Sequence, residues 1–298
     1  KVREWCNAEN YEVVFTSGAT FSSNLIHQNL PNLGVHKSII SLNDHHANIV
    51  PYRLNKTDVV QIKIPDNGVF NEEELFKFGP LDAHILHISG VFNATGQILD
   101  IKNITQRAHE LGGLVALDMS QHMSHDTLDA DDIDAEFYYW SSHKHYGPTG
   151  TGILLIKKKV AEQMQPFIGG GAMVSNVTET KTEMWDAPLN LEPGTPNIAG
   201  VIGTGASIDF MQDIGMDVIH DHTQNLLGMI IKELRERKIP IICDELPLEQ
   251  RGGLVSFTIP GQHSYDVSVA LGLKDMYVRS GKLCAHPVVD KLSDTGFI

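Results

Sequence analysis

The chain has 298 residues, enough for one large domain and a smaller one, each with its own core. Its formal charge of −14, from 37 acidic against 23 basic residues, opposes contact with phosphate backbones, and no basic stripe interleaved with aromatics is visible, which excludes nucleic acid as an expected partner. No run of about 18 apolar residues occurs, residues 1–5 do not lead into a signal-peptide apolar region, and Cys6, Cys243 and Cys284 are dispersed without metal-ligand spacing, so the expectation is a cytoplasmic protein with no membrane span, metal site or disulfide framework.

Along the chain, short apolar runs at 12–15, 38–41, 59–62, 85–88, 114–117, 136–140 and 152–156 read as strands. Helical patterns lie between them. Ile101, Ile104, Ala108 and Leu111, for example, recur at the spacing of one helix face. This alternation predicts an α/β fold with a mostly parallel sheet, whose ligands gather at the carboxyl ends of the strands. Beyond Gly194-Thr195-Pro196-Asn197 the pattern changes to two long helices, near 198–213 and 216–238, followed by strand signals at 254–257 and 277–279. A boundary near Pro196 therefore divides a large domain, 1–196, from a smaller α+β domain, 197–298.

Several segments carry chemistry. Thr16-Ser17-Gly18-Ala19-Thr20 follows the first strand and opens a helix, which suits either a phosphate on free backbone N–H groups or an ordinary N-cap. Asp118 ends the strand at 114–117 and is either a turn residue or the partner of a protonated ring nitrogen. His45 can stack on such a ring or be structural, and Asn93 and Gln121 are neutral donors able to hold a phenolate oxygen. Lys144, in Ser141-Ser142-His143-Lys144-His145-Tyr146-Gly147-Pro148-Thr149-Gly150, follows the buried run 137–140. Hydroxyls, a histidine and a glycine turn flank it, so it is placed for Schiff-base chemistry with anion-binding neighbours. Cys284 sits between glycine and proline in Arg279-Ser280-Gly281-Lys282-Leu283-Cys284-Ala285-His286-Pro287, where cationic neighbours favour a thiolate nucleophile over an inert buried thiol.

Taken in order, these segments resemble the cysteine desulfurases of the class V aminotransferase group, pyridoxal-phosphate enzymes of fold type I, and within them the SUF-type branch. The resemblance also rests on Asp44-His45-His46-Ala47-Asn48-Ile49-Val50-Pro51, Asn93-Ala94-Thr95-Gly96, Asp118-Met119-Ser120-Gln121, Gly169-Gly170-Gly171 and Gly194-Thr195-Pro196-Asn197. It implies that Lys144 carries pyridoxal 5'-phosphate and later moves protons, that Asp118 pairs with the pyridine nitrogen, and that His45 stacks on the ring. It further implies Gln121 and Asn93 at the phenolate side, Thr20, Ser141 and His143 at the phosphate, and Thr195 reaching the phosphate of the partner subunit in a homodimer. Cys284 would take the sulfur of L-cysteine as a persulfide, leaving L-alanine, and hand it to a sulfur-acceptor protein for iron–sulfur cluster or thio-cofactor assembly. Arg279 is the last arginine in the sequence and the candidate for substrate binding.

The sequence departs from that pattern in places. The family continues past the cysteine loop to a carboxylate-clamping arginine and has a segment before the first strand, so the sequence reads as truncated at both ends or as a weakly active sulfur-relay homologue. Ala172 stands where glutamate is expected, and Lys282 and Leu283 stand where the branch usually has histidines. A selenocysteine lyase or another class V enzyme is the alternative activity.

Overall fold

All seven apolar runs become strands of a single sheet. The computed structural model describes every residue from Lys1 to Ile298 except Lys56. In chain order the first body contains α1 (Val2–Trp5), β1 (Tyr11–Thr16), α2 (Ala19–Asn29), β2 (Lys37–Ser41), α3 (His46–Leu54), β3 (Asp58–Ile62), β4 (His84–Ser89), α4 (Ile101–Glu110), β5 (Leu114–Asp118), α5 (Ala130–Ile133), β6 (Phe137–Ser141) and β7 (Gly152–Lys157). The strands lie in the order β1-β7-β6-β5-β4-β2-β3, parallel except for β7, which runs against both of its neighbours. Five strands consequently finish at one edge on a hydroxyl or a carboxylate: Thr16, Ser41, Ser89, Asp118 and Ser141.

Helices cover both faces, and each face has its own apolar core. One is built around Leu86, Leu117, Tyr138 and Trp140, the other around Ile85, Ala116, Phe137 and Tyr139, as alternation along each strand requires. β6 is buried along its whole length, and each large apolar side chain so covered contributes roughly 1.5–3 kcal/mol. α4 shows how local sequence fixes an element: the Asp100 carboxylate accepts from the Asn103 N–H at 3.0 Å to cap it, while Ile101, Ile104 and Ala108 face the core.

Beyond β7 the chain forms α6 (Lys158–Ala161), which packs on the sheet's core, an exposed hairpin of β8 (Val174–Val177) and β9 (Thr182–Met184), and then α7 (Ile198–Ile214), α8 (Met216–Glu236), α9 (Ser264–Gly272) and α10 (His286–Leu292). The strands expected at 254–257 and 277–279 do not form. Phe257 makes only an isolated bridge to Ile241, and 277–279 is exposed and belongs to no strand. Apolar alternation makes a strand only where a neighbour completes the ladder. A third apolar cluster, including Ile242, Leu246, Leu283, Ala285, Val288 and Phe297, supports the loop of Cys284. Among the described residues no helix is long and apolar enough to cross a membrane.

Candidate active site

Lys144 lies in the connection from β6 to β7, in a 3-10 turn spanning Ser142–Lys144. The base of this connection is closed by the Ser141–Gly152 pair and by the Ser142 N–H, which donates to the Thr151 carbonyl at 2.9 Å. The N–H groups of His145 and Gly147 both donate back to the Ser142 carbonyl at 3.0 Å, and the Ser142 hydroxyl meets Thr204 of α7 at 2.7 Å. The Lys144 amine is half-buried and has no hydrogen-bond or ion-pair partner among the described residues.

Asp118, at the end of β5, is 5 % exposed. One carboxylate oxygen accepts from the Ser120 N–H at 2.9 Å and the other from the Asn48 amide at 3.2 Å. That amide also reaches Ser89 Oγ at 3.2 Å and Asp44 at 3.3 Å, while the Asn48 carbonyl oxygen accepts from Tyr139 OH at 2.6 Å. Tyr139 bonds His87, which in turn bonds Tyr52, so the chain of polar contacts runs deep beneath the sheet edge. Burial drives His87 down to about 3, so the ring is neutral, and burial pushes the Asp44 carboxyl up to about 7 against the opposing bonds from Ser89 and Asn48.

His45 caps α3 with its Nδ1, which accepts from the Ala47 N–H at 3.1 Å and leaves Nε2 for the cleft. Burial lowers it to about 4; the charges of Lys144, His46 and Arg279 act in the same sense and that of Asp118 in the opposite one. These interactions place His45 within electrostatic reach of Asp118, Lys144 and Arg279. At neutral pH it is an uncharged imidazole, suited to stacking on a ring and moving a proton.

The cysteine loop docks onto the same end of α3. The Cys284 carbonyl accepts from the His46 N–H at 2.8 Å, the His286 N–H donates to His46 Nε2 at 3.1 Å, and the Asn93 amide donates to the Leu283 carbonyl at 2.6 Å. Leu283 and Cys284 both have left-handed backbones, φ 52° and 56°, a conformation that costs a non-glycine residue about 1–3 kcal/mol and needs such contacts to hold it. The Arg279 guanidinium lies 3.4 Å from the Cys284 sulfur. By contrast, Cys6 and Cys243 are buried; burial pushes the Cys243 thiol up to about 11 and that of Cys6 higher still, so neither is a thiolate near neutrality.

Across the cleft, α2 begins at Gly18, whose φ of 150° belongs to glycine and where a Cβ would come 3.3 Å from Ser141 Oγ. Ser141 Oγ accepts from the Ala19 N–H at 2.9 Å and keeps its own O–H to donate. Thr20 in the first turn and His143 are exposed beside it. Thr195 is exposed in the loop before α7, held by Asn197, whose amide donates to the Gly150 carbonyl and to Thr151 Oγ1, both at 3.2 Å. Gln121, Asn93, Arg279 and Leu283 line one cavity of about 470 Å³. Asn93 Oδ1 is buried there without a partner.

This donor set fits pyridoxal 5'-phosphate. A glycine-shaped cradle of N–H groups at a helix N-terminus suits its phosphate, a buried carboxylate fixed at both oxygens suits its ring nitrogen, a neutral imidazole suits its face, and an unpartnered lysine amine suits its aldehyde. Sequence reasoning missed Asp44, Asn48, Ser89 and Tyr139 beneath Asp118, and the His46–His286 contact. The first two stand in the same short segment as His45, and a buried Asp and Asn beside a candidate ring ligand were the available signal.

The class-V aminotransferase family model matches residues 1–298. A cysteine desulfurase of Cronobacter sakazakii is 33% identical over 287 residues, which are 94% of this chain and 70% of that protein. Among solved structures, a cysteine desulfurase from Thermococcus onnurineus superposes with a TM-score of 0.92 at 28% identity, covering 99% of this chain and 75% of the other. One from Escherichia coli does so with 0.90 at 29%, with the same coverage. The chain thus spans about three quarters of these structures. With its seven-stranded sheet and the cleft at the strand ends, it belongs to the cysteine desulfurases of the class-V aminotransferase family.

Proposed function

We propose that this chain takes the sulfur of L-cysteine onto Cys284 as a persulfide and releases L-alanine, with the cofactor body at 1–196 and the Cys284-bearing body at 197–298. The observation that carries the reading is the loop of Cys284, strained and pinned to the start of α3 next to His45, which lies within electrostatic reach of Asp118 and Lys144.

In this reading Asp118 holds the ring nitrogen of pyridoxal 5'-phosphate, His45 its face, Gln121 and Asn93 its phenolate oxygen, and Thr20, Ser141 and His143 its phosphate, with Thr195 serving the partner subunit of a homodimer. When bound, that cofactor supplies an electron sink at the substrate carbon. Arg279 binds the substrate beside the thiol. The Cys284 thiolate attacks the substrate sulfur; the new S–S bond forms as the C–S bond breaks, its electron pair stays with carbon, and Lys144 returns a proton there. Atoms balance as cysteine plus thiol giving alanine plus persulfide. The outer sulfur then passes to a sulfur-acceptor protein for iron–sulfur cluster or thio-cofactor assembly in the cytoplasm.

Non-reducing mass spectrometry after incubation with L-cysteine tests this. The peptide containing Cys284 should gain one sulfur atom. Sulfur on Cys6 or Cys243 with Cys284 unmodified overturns the reading.

A further inference from the structure

We propose that His46 and His286 form a clasp that docks the Cys284 loop onto the N-terminus of α3, and that the clasp requires the neutral imidazole of His46. The inference rests on Cys284 being the sulfur acceptor and names what holds it in place.

Two helix starts are capped reciprocally. The first residue of α3, His46, gives its N–H to the Cys284 carbonyl at 2.8 Å, and the first residue of α10, His286, gives its N–H to the His46 ring at 3.1 Å. Both donors are the orphan N–H groups that a helix leaves at its start. The rings meet edge to face, with centroids 4.6 Å apart. A backbone N–H only donates, so His46 Nε2 must accept, and a protonated ring cannot. Between the two bonds lie Cys284 and Ala285, with the strained left-handed pair Leu283 and Cys284 alongside. Loss of the ring bond leaves that pair with the His46 N–H, the Arg279 guanidinium at the sulfur, the Asn93 amide and the apolar seat of Leu283 to hold it.

The groups around His46 are Arg53 on its own helix, His45 beside it, and Cys284 and His286 from the docked loop, with Arg279 against the Cys284 sulfur. All but Cys284 are basic. Burial lowers the His46 pKa from its ordinary value, and His286 and Arg53 lower it further. A lowered pKa keeps the ring neutral above the ordinary histidine range, so the clasp is closed there and opens only as pH falls below it.

The test compares wild type, His46→Ala and His46→Gln as holoenzymes. It measures the rate of persulfide formation on Cys284 and the amide hydrogen exchange of a peptide covering 283–287, from neutral to acidic pH. His46→Ala should retain cofactor absorbance, exchange faster and form persulfide about tenfold more slowly, the effect of one lost hydrogen bond. In His46→Gln the amide oxygen can accept in place of Nε2 but does not titrate, so neutral behaviour should be preserved and the acid loosening abolished. Exchange is the readout for that arm because the titration of the thiol does not enter it. Wild-type persulfide rates in His46→Ala, or an unchanged acid loosening in His46→Gln, overturn the clasp. If His46→Ala fails to hold cofactor at all, the exchange profile of His46→Gln decides. Persulfide on a cysteine other than Cys284 defeats the functional reading instead.

Discussion

The amide nitrogen of Asn48 lies 3.2 Å from the carboxylate of Asp118, which it meets from the first turn of α3. The same amide serves Asp44, so one neutral group separates two buried carboxyls. Asn48→Ala should lower unfolding stability by roughly 2–3 kcal/mol, because it strips both of a donor and removes the acceptor of the Tyr139 O–H, leaving that hydroxyl its contact with His87. Urea denaturation checks this, and an unchanged midpoint would show the contacts contribute nothing.

Asp118→Asn should bind the cofactor and keep a visible absorbance band while turnover falls by orders of magnitude, because only the charged partner keeps the ring nitrogen protonated. Absorbance and alanine formation are measured on the same sample. Near-normal turnover would reduce Asp118 to a turn residue.

Lys144→Ala should leave no borohydride-reducible link between protein and cofactor and no cysteine-dependent sulfide release, because Lys144 is the amine just past the end of β6, without a hydrogen-bond or ion-pair partner among the described residues. Mass spectrometry after reduction reads the link directly. A retained adduct would reassign the lysine.

Stability should decline in mild acid. His27, His45 and His145 are lowered to about 4 and His87 to about 3, each by burial, so the unfolded chain binds protons at these sites that the folded chain refuses. Each contribution is intact above about 6.5 and is lost as pH falls below it, by roughly 1.4 kcal/mol per pH unit. Asp44, raised to about 7, works the other way between its ordinary value and 7, as do the raised Glu72, Glu192 and His109, while His46, His122, His125 and His143, lowered as well, add to the loss. Thermal unfolding from pH 7.5 to 5 should show a falling midpoint, and a flat profile would contradict the burial of these rings.

The strands were legible because each is a short apolar run between turn residues, and Lys144 stood out as a candidate because hydroxyls, a histidine and a glycine turn flank it. The network under Asp118 was not, since Asn48 is a helix residue whose partners, Ser89, Asp118 and Tyr139, come from three different strands. Likewise, nothing in the spacing of His46 and His286 shows that they touch across 240 positions. The failed strands at 254–257 and 277–279 show the same limit from the other side, because a ladder needs a partner that local pattern cannot supply.

Because β7 runs against β6, the segment bearing Lys144 is a loop that returns directly instead of crossing over through a helix. Its two feet are stitched together by main-chain bonds at Ser141–Gly152 and Ser142–Thr151. The amine therefore stands on a fixed post rooted in the sheet. The thiol rides on a strained tongue clipped to a helix tip. The two groups are thus anchored differently: Lys144 by main-chain bonds within the sheet, Cys284 by contacts to the tip of one helix.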